Sequence, residues 1–248
     1  MNEEASIELL KKLKEILDRY NIEFWLDGGT LLGAVRDGKI IPWDRDIDLG
    51  SWSKNLPKIA SLYPIFNKHG ISLTFALDEI NFRNRKTGAY VGMYIYRIEG
   101  ENAVRNPVIN PREYYYRNGK VCRKRFQHWL RVLTKHLIWI LMDDNVSCNS
   151  PQFFLRKIAS FFPLQLKHYL VMFIKKIAYK MGIRYAKVIV PKRYFENLKI
   201  LKFYNMDFKV PAETEDYLAY RYGNNWRTPI RKYIPFVDSK YQGMEKIF

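Results

Sequence analysis

The chain has 248 residues, 48% of them apolar, and 42 Lys and Arg against 25 Asp and Glu, for a formal net charge of +17. That length supports one large domain, or one domain with a sizeable insertion. The charged opening MNEEASIELLKKLKEILDRY lacks the apolar stretch of a signal peptide, LIWILM is far shorter than the ~20 residues that span a bilayer, and Cys122 and Cys148 have neither metal spacing nor a disulfide framework, so the expectation is a protein of a reducing compartment that is neither secreted nor membrane-integral.

In chain order, Ile7, Leu10, Leu13, Leu17 and Tyr20 recur at helical spacing and predict an amphipathic helix over 4–20. IEFWLDGG (22–29) reads as a short strand ending in a glycine turn, and TLLGAVRDG (30–38) as a short helix closed by Gly38. KIIPWDRDIDLG (39–50) reads as extended, since Pro42 disfavours helix before it and the later alternation has period two. A helix over 54–69, broken near Pro64 and stopped by Gly70, precedes three strands, 71–77, 79–85 and 89–98. The middle is helical: 125–144, a start capped by Ser150 and Pro151, and a helix after Pro163 with Leu166, Leu170, Phe173, Ile177 and Met181 on one face and Lys167, Lys175, Lys176 and Lys180 on or near the other. Asp216 to Tyr222 predict a last short helix ended by Gly223.

Charge is concentrated in this middle. From Arg112 to Arg193 there are 18 Lys and Arg against 3 Asp and Glu, a surplus of 15, while the rest of the chain has 24 against 22. A surplus so localised points to a polyanion, and basic helices with aromatic residues suit an anionic membrane surface over residues 112–193. The bland alternatives are a solvated basic face and a helical subdomain with its apolar faces turned inward. No nucleic-acid recognition motif accompanies the charge, so no nucleic-acid partner is expected.

The chemistry concentrates in WLDGGTLLGAVRDGKIIPWDRDIDLG (25–50). On an extended strand Asp44, Asp46 and Asp48 line one face at about 6–7 Å intervals. Three like charges there repel unless a hard cation neutralises them, and Mg²⁺ takes one or two carboxylates together with substrate phosphates. An exposed strand edge neutralised by Arg45 and solvent is the alternative. Upstream, Gly28 and Gly29 allow close backbone approach, Thr30 and the amides after it open a helix N-terminus that suits phosphate, and Arg36 is a forked donor two turns on. Arg83 and Arg85, in FRNRKTG, are further candidates for phosphate or for a basic hairpin edge. The histidines have no ligand spacing, and Tyr222 and Trp226 read as helix-end packing more than as a base-stacking pair.

The 25–50 block resembles the signature of the LicD/fukutin-related phosphotransferase family, and VPAETEDYLAYRYGNNWRTP (210–229) resembles that family's closing pattern, VP…YL…YG…W…P. The resemblance covers roughly residues 1–100 and 190–230. It implies an α/β (α+β) fold, a nucleotidyltransferase-like mixed β-sheet core flanked by helices, with a basic helical insertion. The implied division is 1–110 as catalytic core, 111–190 as basic amphipathic insertion and 191–248 as a helical part completing the core. It implies transfer of a phosphorylated alcohol, such as phosphocholine or ribitol phosphate, from a CDP-linked donor to a cell-surface glycan or its lipid-linked precursor. Asp46 and Asp48 would bind Mg²⁺ (or Mn²⁺), with Asp44 in support as candidate base. Gly28, Gly29 and Thr30 would hold donor phosphate, and Asp27 would order the turn or contact substrate. The lack of a signal-peptide stretch and the basic helices make the expected location cytoplasmic, peripheral on the inner membrane face.

One position departs from the pattern. Where the family offers a further acid, YVGMY (90–94) has Gly92. Three explanations stand open: Asp78, Glu79 or Glu99 substitutes, the chain is weakly active or inactive, or the matching strand is a different one. A metal-dependent glycosyltransferase using Asp46-x-Asp48 and an impaired membrane-associated relative are the alternative functions.

Overall fold

A computed structural model describes residues 2–44, 46–75, 78–105, 108–109, 114–117, 120–142, 155, 157–159, 161–231 and 244–246. Arg45, Ala76, Leu77, Cys148, Ser150 and Pro151 lie outside these residues, as does the end of the helix expected over 125–144.

The chain opens with α1 (Glu3–Arg19), capped by Asn2, whose side chain accepts from Ala5 N at 3.2 Å. Its Leu9, Leu10, Leu13, Ile16 and Leu17 are buried, as the helical spacing predicts. There follow β1 (Phe24–Leu26), α2 (Gly28–Arg36) and β2 (Ile47–Trp52), then a 3₁₀ turn, α3 (Leu56–Ser61) and α4 (Tyr63–Lys68). The expected helix over 54–69 is thus two helices meeting at Leu62, because Pro64 has no N–H to continue the first. Next come β3 (Ile71–Phe75), β4 (Glu79–Asn84), β5 (Tyr90–Glu99), β6 (Asn102–Arg105), β7 (Val108–Ile109), β8 (Tyr114–Arg117) and β9 (Lys120–Arg123). The helices α5 (Arg125–Met142) and α6 (Leu164–Lys180) precede β10 (Arg184–Pro191), α7 (Arg193–Glu196), β11 (Leu198–Phe203), β12 (Met206–Pro211), α8 (Thr214–Tyr222) and β13 (Met244–Lys246).

Among the described residues nine strands make the main sheet. The centre is β5, parallel to β2 and antiparallel to β4, with β6 continuing along it and β10 joining β6. This is the mixed sheet flanked by helices that was expected. Because β10 is hydrogen-bonded into that sheet, the last residues of the 111–190 segment belong to it.

Register settles what each face carries. Asp48 pairs with Gly92 and Gly92 with Asn81, so these three share one face. Tyr90, Tyr94, Tyr96, Glu79 and Arg83 alternate onto it. The opposite face, with Ile47, Leu49, Val91, Met93, Ile80 and Phe82, is buried apolar core. One sheet therefore has apolar core on this opposite face, while the Asp48 face is polar around Asn81 and Tyr90 and runs into the buried aromatic packing of Trp25, Tyr96 and Phe195.

The helical segment differs from its expected arrangement. The helix α5 packs on α6 through Leu130 against Ala178 and Ile183, and through Ile138 and Leu141 against Val171. Lys167, expected on the outward side, is buried, while Leu166, Phe173, Ile177 and Met181 of the expected apolar face are exposed. Small residues such as Ala178 let the two helices approach, and the larger apolar side chains remain outside.

Candidate active site

The strand expected through Asp44, Asp46 and Asp48 begins only at Ile47. Pro42 and Trp43 form a turn closed by Asp44 N donating to Ile41 O at 2.9 Å. The carboxylates therefore do not alternate along one strand. They converge instead: a Cβ on Gly28 would run into the Asp48 carboxylate and one on Gly29 into that of Asp44. Both glycines lie in the first turn of α2 and not in a turn before it, and Gly28 has φ +53°, which an L side chain adopts only with strain. The glycines are small so that two carboxylates can lie against the start of a helix, where the dipole favours negative charge.

Asp48 is held from several sides. Gly29 N donates to its Oδ2 at 3.2 Å, its own N–H donates to Thr30 Oγ1 at 2.7 Å, and the Tyr94 hydroxyl bonds its carboxyl. Burial pushes its pKa up to about 8, helped by the charge of neighbouring Asp46 and opposed by the bonds from Tyr94 and Gly29. An acid so buried beside another acid favours a bound cation, which relieves both costs. Among the described residues no group of three or more His, Cys, Asp or Glu is arranged to hold a metal. Two carboxylates with phosphate oxygens nevertheless fit the habit of Mg²⁺, so Asp46 and Asp48 suit it.

Gly92 is beside Asp48: a Cβ there would lie 3.9 Å from Asp48 Oδ1 and 3.6 Å from the Tyr90 hydroxyl. Tyr90 in turn donates to Glu79 Oε1 at 3.1 Å and contacts Asn81. Of the three candidate substitutes, Glu79 shares the face of Asp48. Asp78 pairs with Arg97 at 2.5 Å and Glu99 with Lys187 at 2.8 Å.

Other expected phosphate ligands fall elsewhere. Asp27 is fully buried, which removes it from contact with substrate. As the N-cap of α2 it accepts from Gly28 N at 2.7 Å, from Tyr96 at 2.7 Å and from Tyr217 at 2.6 Å, with Arg221 3.7 Å away. Tyr217 and Arg221 lie on α8, so the two blocks of family resemblance meet at this carboxylate. The amides of Gly28 and Gly29 are occupied by Asp27 and Asp48, and the Thr30 hydroxyl accepts from Asp48 N–H, so this turn holds carboxylates where phosphate was expected. Arg36 ends α2, one helix length from the carboxylates, and is bound to Asp37 at 2.7 Å. Arg85 lies in the β4–β5 turn against Asn67, and Arg83 is exposed on the polar face nearest that turn. Trp226 is buried in the core, in line with packing.

Glu79, Lys135, Arg131 and Arg105 were not singled out as a group by sequence. Lys135 of α5 forms an ion pair with Glu79 across 56 residues, and Arg105 lies over the Tyr94 ring at 3.8 Å. Burial alone would raise Glu79, but the charges of Lys135, Arg131 and Arg105 outweigh it and hold the carboxyl down at about 2. The available signal was the i, i+4 spacing of Arg131 and Lys135, which gives one basic helix face but no target.

Residues 21–136 match the family described as LicD/FKTN/FKRP, nucleotidyltransferase domain. The chain is 49% identical over 41 residues to the human ribitol 5-phosphate transferase FKRP, a match covering 16% of this chain and 8% of that protein. It is 21% identical to the lipopolysaccharide cholinephosphotransferase LicD of Haemophilus influenzae, over 90% of this chain and 89% of that one. The chain spans about a quarter or less of the length of the first curated relatives it matches. Among solved structures, the antibiotic-resistance factor ANT(2'')-Ia is similar at a TM-score of 0.33 and 14% identity, covering 72% of this chain and 96% of that one.

Proposed function

From the match of residues 21–136 to the LicD/FKTN/FKRP family, we propose that this chain is a phosphotransferase moving a phosphorylated alcohol, phosphocholine- or ribitol-phosphate-like, from a CDP-linked donor to a cell-surface glycan or its lipid-linked precursor. The observation that carries this reading is the convergence of Asp44 and Asp48 on the glycine start of α2, with Asp46 beside them.

Asp46 and Asp48 would hold Mg²⁺ (Mn²⁺ in its place is the alternative), which when bound neutralises phosphate oxygens of the donor. Asp44, against the α2 start, takes the proton of the acceptor hydroxyl. The acceptor oxygen forms its bond to the phosphorus of the alcohol phosphate, the bridging P–O bond breaks, and cytidine monophosphate leaves with the electron pair. Tyr94 and the Gly29 amide orient Asp48 throughout.

The acceptor is reached at a membrane. Among the described residues fourteen large apolar side chains from Phe126 to Met181 are exposed, beside exposed Lys124, Arg125, Lys157, Lys176 and Lys180. Among the described residues no helix is long and apolar enough to cross a membrane. A peripheral face for anionic lipid accounts for apolar and basic side chains together. Gly92 supports a second reading, a catalytically impaired relative, because the position beside Asp48 has no third carboxylate.

The test is transfer from CDP-choline and CDP-ribitol, with Mg²⁺, to a lipid-linked glycan. Asp46→Ala/Asp48→Ala is expected to lower it by at least about 10³-fold. Transfer unchanged in that double variant overturns the site. No transfer by the wild-type chain with either donor, while Mg²⁺ and CDP still bind, favours the impaired relative.

A further inference from the structure

The turn that brings Asp44 to the start of α2 carries a residue that neither the turn nor the core requires. Asp44 N donates to Ile41 O at 2.9 Å, which puts Pro42 and Trp43 at the two central positions. Turns are dominated by Gly, Pro, Asn, Asp and Ser, a preference that Pro42 meets and Trp43 does not. Nor does Trp43 serve the core: Trp25, Trp52 and Trp226 are buried, whereas Trp43 is exposed. Among the described residues outside 126–181, the exposed large apolar side chains are Trp43, Ile98, Ile200 and Ile230. The one aromatic ring of that set therefore stands next to a carboxylate of the site.

The ring is held on a firm base. Ile40 and Ile41 are buried just before it, and Ile40 N donates to the Tyr204 hydroxyl at 3.0 Å. Pro42 then fixes one backbone torsion. Just after the ring, the Asp44 carboxylate lies against Gly29. Consecutive Cα atoms are about 3.8 Å apart, so the indole starts one residue from the carboxylate cluster. Arg231 arrives from the far end of the chain, with its guanidinium carbon 5.4 Å from the centre of the Trp43 ring. It lies two residues beyond the 210–229 block, which thus reaches the 25–50 block at the rim of the site as well as at Asp27 inside.

An exposed indole on a preformed turn is a stacking platform, and little order is lost when a flat ligand settles on it. Two partners of the proposed reaction have a face to stack, the donor's base and the acceptor's sugar. Arg231 favours the base. Its fork delivers two parallel N–H groups, and cytosine presents two adjacent acceptors, O2 and N3, on one edge. A sugar's hydroxyls both donate and accept and need no fork. Position agrees, because the base is joined through one ribose to the phosphates that a metal on Asp46 and Asp48 would meet. We propose that Trp43 and Arg231 form the base subsite of the donor nucleotide, Trp43 stacking on the cytosine ring and Arg231 reading its O2 and N3 edge. The inference rests on the phosphotransferase reading for the identity of the nucleotide. The stacking role weighed for Tyr222 and Trp226 falls to Trp43, since Trp226 is buried.

The test is calorimetric titration of the full chain with CDP, UDP and inorganic pyrophosphate, each with MgCl₂. Trp43→Ala is expected to weaken CDP about tenfold or more, the loss of one stacked base, and to leave pyrophosphate unchanged. Trp43→Phe keeps a stacking face and is expected to recover most of that loss. Arg231→Gln is expected to erase a preference for CDP over UDP, because uracil carries a proton on N3 and offers the fork one acceptor fewer. The thermal midpoint should not move in any of the three, since both side chains are exposed. CDP bound by Trp43→Ala as tightly as by wild type overturns the subsite. So does an equal loss of CDP and pyrophosphate, which marks a general disturbance of the turn, and so does a loss confined to the lipid-linked glycan, which gives the ring to the sugar. Should Trp43→Ala not fold, the ratio of CDP to UDP affinity in Arg231→Gln decides. If CDP binding falls in Trp43→Ala while the wild type transfers no alcohol phosphate, the subsite stands and the phosphotransferase reading fails. If transfer from a CDP-alcohol proceeds with the same KM in Trp43→Ala, the reading stands and the subsite fails.

Discussion

In the sheet, Trp25, Tyr96, Phe75 and Phe82 are fully buried, and the buried Asp27 at its edge has two tyrosines, an amide and Arg221 around it. In α5 and α6 the pattern inverts: Phe126, Trp129, Tyr169, Met172 and Phe173 are more than half exposed, while Lys135 and Lys167 are buried. The first region satisfies its groups internally. The second holds apolar surface outside, which costs free energy in water and is recovered when something covers it. The contrast separates an internally packed sheet from a helix pair with an exposed apolar face, and each half of it can be broken.

The largest expected effect is on the sheet. Asp27→Ala removes the carboxylate beside Arg221 and the acceptor of two buried hydroxyls. Breaking a buried charge pair in this way costs about 3–5 kcal/mol. Chemical denaturation followed by tryptophan fluorescence measures it. A cost below about 1 kcal/mol would mean that α8 does not depend on the α2 cap.

Next comes the helical face. Phe161→Ser/Phe173→Ser removes two exposed aromatics, 80% and 52% accessible. Loss of their burial in lipid is worth about 3 kcal/mol together, so partitioning onto vesicles of phosphatidylglycerol is expected to fall about a hundredfold. The denaturation midpoint should stay where it is or rise, because among the described residues nothing covers most of these rings. A drop in stability with unchanged vesicle binding would reassign the face to internal packing.

These two regions were unequally legible in the sequence. The 25–50 block announced a carboxylate site through residue types alone, and register in the sheet kept Asp48 and Gly92 together as the spacing required. Its geometry was not legible: the Ile41–Asp44 turn is set by one hydrogen bond, and period two past Pro42 mimics a longer strand. The role of Asp27 was hidden because its partners lie 69 and 190 residues away. In the helices the amphipathic spacing was visible, but spacing says which residues share a side and not which side is covered. Small Ala178 and Val171 won the packing because they permit close helix approach, against the larger Leu166 and Phe173.

A smaller effect tests the joint between the regions. The pKa of Glu79 is lowered in the folded chain, to about 2 from 4.5. Its ion pair with Lys135 therefore adds stability that is present above about pH 4.5 and is lost as pH falls toward 2, on the order of 2 kcal/mol after allowance for the buried lysine. Denaturation across pH 2–5 should show that slope in the wild type and a flatter one in Glu79→Gln. Equal slopes would uncouple α5 from the polar face and with it the insertion from catalysis.

The smallest effect sharpens the contrast at its centre. Gly92→Asp adds a carboxylate beside Asp48, at a position where a Cβ meets its neighbours at ordinary contact distances, 3.6 and 3.9 Å. The backbone there has no positive φ, so the substitution brings no turn strain. Without metal the new charge adds to the repulsion that already raises Asp48, and the folded chain should lose stability as pH rises from 3.8 toward about 8. With Mg²⁺ the same charge becomes a ligand, and affinity is expected to rise about tenfold, or roughly 1.4 kcal/mol. Titration with Mg²⁺, and with Mn²⁺ read by electron paramagnetic resonance, gives both numbers. If affinity rises and transfer rises with it, Gly92 limits the natural chain. If affinity rises and transfer does not, metal binding is not what limits it.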